Sequence, residues 1–117
     1  MPAEAIEGRI VFGEDARPFQ DASVEVVLED TTYADAPAVA VARLVLRAVS
    51  YDGAPGGSIA FALPRPPAAP GRAHTLRILV DVDGDGRLGK GDYRNAESVS
   101  VPLDAAAALT VRVKRIG

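Results

Sequence analysis

Four aspartates fall within the segment DVDGDGRLGKGD, residues 81–92, where they alternate with glycines. An EF-hand calcium loop takes its ligands from positions 1, 3, 5, 7, 9 and 12 and has glycine at position 6. Counted from the first aspartate, this segment offers the carboxylates of Asp81, Asp83, Asp85 and Asp92, and the backbone carbonyl of Arg87. The spacing therefore predicts a Ca²⁺ site that is EF-hand-like, of the dockerin type.

The chemistry of Ca²⁺ explains why these residue types are needed. The ion takes six to eight oxygen ligands, and alternate residues of a tight loop aim their carboxylates at one centre. Gly86 allows the sharp turn, Leu88 is the apolar anchor, and Gly89 leaves room for a water. Asp92 is shorter than the usual glutamate, which favours a smaller or more weakly bound ion. The competing interpretation is a solvated Asp-Gly turn, in which four crowded carboxylates would repel one another.

The segments on either side of this loop have the pattern of strands. HTLRILV enters the loop, YRNAESVSVPL leaves it, and both favour extended chain. The sequence thus predicts a calcium loop between β-strands and not a pair of helices that opens on binding. The expected role of the ion is local, to order the loop and stabilise the fold by mass action.

Apolar residues recur with a period of two through most of the chain, which is typical of strands. Seven candidate strands follow, separated by segments rich in glycine and proline: 6–12, 24–29, 38–49, 59–63, 75–82, 98–103 and 109–114. Seven short strands with half-buried alternation predict an all-β fold, an antiparallel β-sandwich of immunoglobulin or transthyretin type. No linker divides the chain, so residues 1–117 are expected to form one domain.

Composition excludes several classes of function. The 117 residues carry a formal net charge of −3, which gives no electrostatic case for nucleic acid or anionic membrane as partner. The chain has no Cys and one His, so thiolate and multi-histidine metal sites are excluded. No apolar run reaches the roughly 18–20 residues that span a bilayer. The first twenty residues lack the features of a signal peptide, so the protein is cytoplasmic or has lost a leader.

Catalytic groups are not evident in the sequence. His74 falls on the same strand face as Leu76, Ile78 and Val80, which is typical of a residue at a strand edge. No serine lies in a nucleophile elbow. We therefore expect no enzymatic activity, although a hydrolase that uses the aspartate cluster is a competing hypothesis. Tyr33, Tyr51 and Tyr93 lie in or beside loops. They suggest a second alternative, a calcium-dependent carbohydrate or surface-adhesion module.

Residues 22–46 resemble the YbaY/YscW family of bacterial envelope lipoproteins. The likeness rests on Leu-Glu-Asp at 28–30 and Ala-Asp-Ala-Pro at 34–37, and the later elements follow in the family's order, so it extends from about Ile6 to Leu103. The resemblance implies a small β-sandwich, and some members are pilotin-like chaperones of type III secretion. The family's lipidated cysteine is absent, and its Asp-Gly turn is shorter than the loop here. The opening segment also resembles transthyretin-like domains.

Together these observations predict a non-catalytic, calcium-binding accessory module. It would interact with a protein partner of unknown identity, with no nucleic acid and no membrane span, as a monomer or weak homo-oligomer. The resemblance favours the cell envelope or periplasm if a leader was removed, and otherwise the cytoplasm.

Overall fold

The computed structural model describes residues 5–14, 16–33, 35–53, 57–67, 71–84, 86, 87, 89–95, 97–103 and 108–116. These residues form strands and loops, which confirms the all-β prediction. The strands are β1 (Ala5–Phe12), β2 (Phe19–Asp30), β3 (Val39–Tyr51), β4 (Ser58–Pro64), β5 (His74–Asp81), β6 (Tyr93–Asn95), β7 (Val99–Ser100) and β8 (Leu109–Arg115).

The strands join in one continuous sheet with the order β3-β2-β5-β6-β8-β1-β4, and β7 pairs with β5 beyond the end of β6. β1 and β8 run parallel, whereas every other pairing between the described strands is antiparallel. The sheet folds back on itself, so that its end strands β3 and β4 approach each other without pairing in the described sheet. The predicted sandwich is thus made from one nearly closed sheet.

The core lies between the two halves of this folded sheet. Alternate residues of each long strand face inward, as the period of two requires. β2 contributes four of its apolar side chains to this core with no exposed surface, and β5 contributes two. The side chains of this core that have no exposed surface are Ile10, Ala22, Val24, Val26, Leu28, Leu63, Ile78, Val80 and Val111.

Three register shifts interrupt the pairing of β2 with β3, at Asp21, at Ala48 and at Val41, and the first two contain a residue with positive φ. Asp21 is the extra residue on β2 and has φ +57°, and Ala48 is an extra residue on β3 with φ +55°. An L-residue in this region is strained by roughly 1–2 kcal/mol, and a bulge increases the local bend and twist of a strand. The strain is therefore located at two of the points where the register of β2 and β3 shifts.

Asn95 continues the sheet where the backbone of β6 ends. Its side-chain amide donates to the carbonyl of Leu76 at 2.7 Å and its side-chain oxygen accepts the backbone N–H of Ile78. The amide thus replaces a strand residue in the gap between β6 and β7 on the edge of β5. The sequence pattern predicted β7 within a longer strand over 98–103, but it did not predict β6 as a separate strand.

Among the described residues, no helix has the length and apolar character needed to span a bilayer.

Candidate functional site

The aspartate-rich loop connects two strands that are hydrogen-bonded to each other. Asp81 is the last residue of β5, Asp92 immediately precedes β6, and Val80 pairs with Tyr93. Because this pairing holds the two ends of the loop side by side, residues eleven positions apart in sequence become neighbours. Asp85 and Leu88, the predicted third ligand and apolar anchor, lie outside the described residues.

Three of the predicted ligands come together in the structure. One carboxylate oxygen from each of Asp81, Asp83 and Asp92 lies within 4.8 Å of the others. Asp92 is buried, with 1% of its surface exposed, Asp81 is half-buried and Asp83 is exposed. The backbone carbonyl of Arg87 was also predicted as a ligand, and the side chain of this residue is exposed. The predicted convergence is thus present for these three carboxylates.

Asp81 organises the first half of the loop. Its Oδ1 accepts the backbone N–H of Gly84 at 3.1 Å, and its Oδ2 accepts that of Gly86 at 2.9 Å. Both glycines have positive φ, 72° and 76°, a conformation in which a side chain would be strained. The alternation of aspartate and glycine therefore has a structural cause that does not depend on a bound ligand.

Asp92 organises the second half of the loop from a buried position. Its Oδ1 accepts the N–H of Val82 and its Oδ2 accepts the N–H of Gly89, both at 2.8 Å. Its main chain also takes part, because its carbonyl accepts the N–H of Ile116 at the end of β8. A carboxylate offers about four lone-pair positions, so two remain after these bonds. A hard cation could use them.

A groove lies along the seam between the end strands β3 and β4, with a volume of about 900 Å³. Phe61 crosses its floor directly over Gly8, where a Cβ would lie 2.5 Å from the ring. Gly8 is thus the residue that makes room for this ring. The lining is mostly apolar, with polar groups from β1, β4 and β8: Glu7, Gly8, Arg9, Leu44, Leu46, Ser58, Ala60, Phe61, Ala62, Ala108, Leu109 and Thr110. No local pattern in the sequence indicates this groove, because its walls come from β1, β3, β4 and β8.

The three tyrosines do not form a common surface. Tyr93 is buried at 2% exposure and Tyr51 stacks on Phe12 with ring centroids 4.3 Å apart. Both belong to an aromatic cluster completed by Phe19. The hydroxyl of Tyr93 accepts the N–H of Arg17 at 2.9 Å, which ties the β1–β2 connection to the core. Tyr33 is exposed, so the aromatic platform suggested for a carbohydrate site is not assembled.

The Leu-Glu-Asp motif at 28–30 ends in a clasp between two loops. Asp30 accepts hydrogen bonds from both the hydroxyl and the backbone N–H of Thr32, and its carboxylate lies 3.3 Å from Nε of Arg72. The hydroxyl bond first, then the backbone bond and the charges of Arg72 and His74, hold the pKa of Asp30 below its ordinary value despite some desolvation. Thr31 donates its N–H to Ala73 at 2.9 Å, which completes the clasp. Ala34, part of the second motif, lies outside the described residues.

Comparison with known proteins identifies the fold. No protein-family model matches the chain, and no curated protein matches it. A solved structure, that of an alternative pilotin from the type II secretion system of Vibrio cholerae, superimposes with a TM-score of 0.69. The match covers 97% of this chain and 96% of that chain at 18% sequence identity. The fold is therefore shared with a secretion-system pilotin over nearly the whole length of both chains.

Proposed function

We propose that this domain is a non-catalytic accessory module that binds a protein partner, in the manner of a chaperone or pilotin. The observation that carries the proposal is the apolar groove at the seam between β3 and β4. Leu44, Leu46 and Ala60 contribute apolar surface to it at a place where two strands end the sheet with free edges. Grooves of this kind bind peptide segments, because the partner's apolar side chains leave water and its backbone meets open strand edges.

Two further observations support the same proposal. The pilotin of similar fold belongs to a secretion system, and the sequence resemblance to YbaY/YscW proteins leads to the same class of envelope accessory protein. The acidic residues best placed for catalysis, Asp81 and Asp92, use both of their carboxylate oxygens to accept backbone N–H groups. Such bonds favour a role in holding the loop over one in proton transfer.

Site-specific photo-crosslinking in the native cells tests the proposal. A benzophenone amino acid at Ala60, in the groove, is expected to capture one recurrent protein, which mass spectrometry identifies. The matched control carries the same amino acid at Ser100, which is exposed on β7. Equal labelling from both positions, or none from Ala60, would contradict a docking role for the groove.

We also propose that the 81–92 loop binds one Ca²⁺, with Asp81, Asp83 and Asp92 as carboxylate ligands. The support is the convergence of their oxygens within 4.8 Å, in a loop whose two ends are held side by side by the pairing of β5 with β6. Asp85 and the carbonyl of Arg87 complete the ligand set that the spacing predicts. Three carboxylates alone do not reach the six to eight oxygens that Ca²⁺ takes, so these groups or water must supply the rest.

Calorimetric titration of chelator-treated protein tests the calcium proposal. We expect one Ca²⁺ per chain, with a rise in the melting temperature at millimolar Ca²⁺, since ligand at one hundred times its Kd adds about 2.7 kcal/mol of stability. Asp83→Asn is the informative variant, because Asp83 is exposed, whereas Asp81 and Asp92 also hold the loop backbone. Asp35→Asn, in an exposed loop before β3, is the control. Absence of heat and of a temperature shift in the wild-type protein would refute the site.

A further inference from the structure

The outer edge of β3 is the most exposed apolar feature of the described residues. β3 is 13 residues long and lies at one end of the sheet order. One of its edges pairs with β2, and its other edge pairs with no strand in the described sheet. Among the described residues, three of the four exposed large apolar side chains lie on it: Val39 at 62%, Val41 at 41% and Val45 at 41%. A long edge strand with exposed apolar side chains is a template for the addition of another strand.

The central part of this edge has no proline and no bulge, and its protection is charge alone. Proteins shield edge strands with proline, charged side chains, bulges or very short strands. The segment from Ala42 to Leu46 contains no proline and pairs with β2 in regular register, between the register shifts at Val41 and Ala48. Arg43 and Arg47 are exposed and flank Val45 on the same face of the strand. The edge is therefore open to pairing and carries positive charge.

The strand that already pairs with β3, which is β2, shows which side chains complement those of β3. On β2, Glu25 lies opposite Val45 and Val27 lies opposite Arg43. The carboxylate of Glu25 is 3.9 Å from Nε of Arg43. β2 thus presents acidic and apolar residues in alternation to the arginines and valines of β3. Opposite charges on neighbouring strands contribute about 0.2–1 kcal/mol per pair.

A second copy of the chain fits this edge less well. Residues 41–49, VARLVLRAV, read the same in both directions. Antiparallel self-pairing centred on Val45 would bring valines and leucines together, but it would also place Arg43 opposite Arg47 of the second copy. Like charges directly opposite each other destabilise a strand pair. The charge of the edge therefore selects an acidic strand over a copy of itself.

We propose that the outer edge of β3 binds an extended segment of a protein partner in which acidic and apolar residues alternate. The segment adds a strand to the sheet, with acidic side chains beside Arg43 and Arg47 and an apolar one beside Val45. This inference rests on the proposed function of protein binding and specifies the chemistry of the partner. Side chains on the other face of the added strand lie beside Leu44 and Leu46, which line the groove.

A peptide with the sequence of β2, ASVEVVLED (residues 22–30), is the probe, labelled with fluorescein and titrated with the intact protein. The expected result is saturable binding, weakened about tenfold when lysine replaces both internal glutamates, because two favourable charge pairs become repulsive. Methylation of alternate backbone nitrogens on the hydrogen-bonding edge is expected to abolish binding. The double variant Arg43→Glu with Arg47→Glu should reverse the preference between the two peptides, whereas Arg112→Glu, exposed on β8, should not.

Three results would overturn the inference. The first is absence of peptide binding, and the second is equal binding of both peptides. The third is a concentration-dependent dimer of the protein alone that Val41→Lys disrupts, because the occupant of the edge would then be a second copy of the chain. Circular dichroism of each variant verifies that it is folded. If the photo-crosslinking amino acid at position 60 captures a native partner while the β2 peptide does not bind, the strand-addition inference is wrong and the proposed accessory function stands.

Discussion

Replacement of Asp92 by Asn separates two roles of the aspartate loop. Asp92→Asn is close to isosteric, but one of its two acceptor oxygens becomes an NH₂ group that faces either the N–H of Val82 or that of Gly89. In the wild-type protein each of these N–H groups donates to the Asp92 carboxylate at 2.8 Å. Because Asp92 is 1% exposed, water cannot easily replace the acceptor that the variant loses.

The magnitude follows from these contacts. An unsatisfied buried donor costs about 1–3 kcal/mol, and a hydrogen bond to a charged group contributes about 1.5–3 kcal/mol. We expect Asp92→Asn to lower the free energy of unfolding by about 2 kcal/mol in metal-free buffer. For a chain of this size, that corresponds to a fall of roughly 8 °C in melting temperature.

Thermal and urea unfolding in EDTA measure this effect, with Asp83→Asn as the matched comparison. If the loop were only a cluster of mutually repelling ligands, removing any one charge without metal would stabilise the protein. The hydrogen bonds predict that Asp92→Asn destabilises the protein in EDTA, and by more than Asp83→Asn does, because Asp92 is buried and Asp83 is exposed. Stabilisation of both variants would refute this reasoning.

Three other substitutions test the fold. Asn95→Ala removes two hydrogen bonds to the backbone of β5 and should cost about 2 kcal/mol in urea unfolding; a loss below about 0.5 kcal/mol would show that water replaces the amide. Ala48→Gly relieves a positive φ and should stabilise by about 0.5–1 kcal/mol in the same assay, since strain relief exceeds the entropy that glycine adds to the unfolded chain; destabilisation would contradict this. Because the pKa of Asp30 is lowered in the folded protein, its stabilising effect is complete above the ordinary carboxyl pKa of about 4 and is lost as the pH falls through the lower folded value. Asp30→Asn should therefore destabilise at pH 7 and converge with wild type in acid, and a pH-independent difference would be evidence against the clasp.

The local pattern of the sequence predicted most of the strands, because side-chain alternation is determined residue by residue. It placed β1, β3, β4, β5 and β8 within one or two residues of their observed bounds. It missed the first residues of β2, where Asp21 forms a bulge that breaks the alternation. The parallel pairing of β1 with β8 depends on contacts between the two ends of the chain, which no local pattern encodes.

The candidate site shows the same division between local and non-local information. Spacing predicted that Asp81, Asp83 and Asp92 converge, because an alternating loop between paired strands leaves little choice of geometry. It did not predict that Asp92 is buried and holds two backbone N–H groups, since burial depends on packing against the end of β8. The groove could not be predicted from the sequence either, because its walls come from β1, β3, β4 and β8.

Hydrogen–deuterium exchange of the domain with its captured partner tests the central claim most directly. If the partner docks at the seam, amides of β3 and β4, residues 39–51 and 58–64, should be protected on binding while those of β6 stay unchanged. Protection confined to β6 or the 81–92 loop, with β3 and β4 unaffected, would contradict the account.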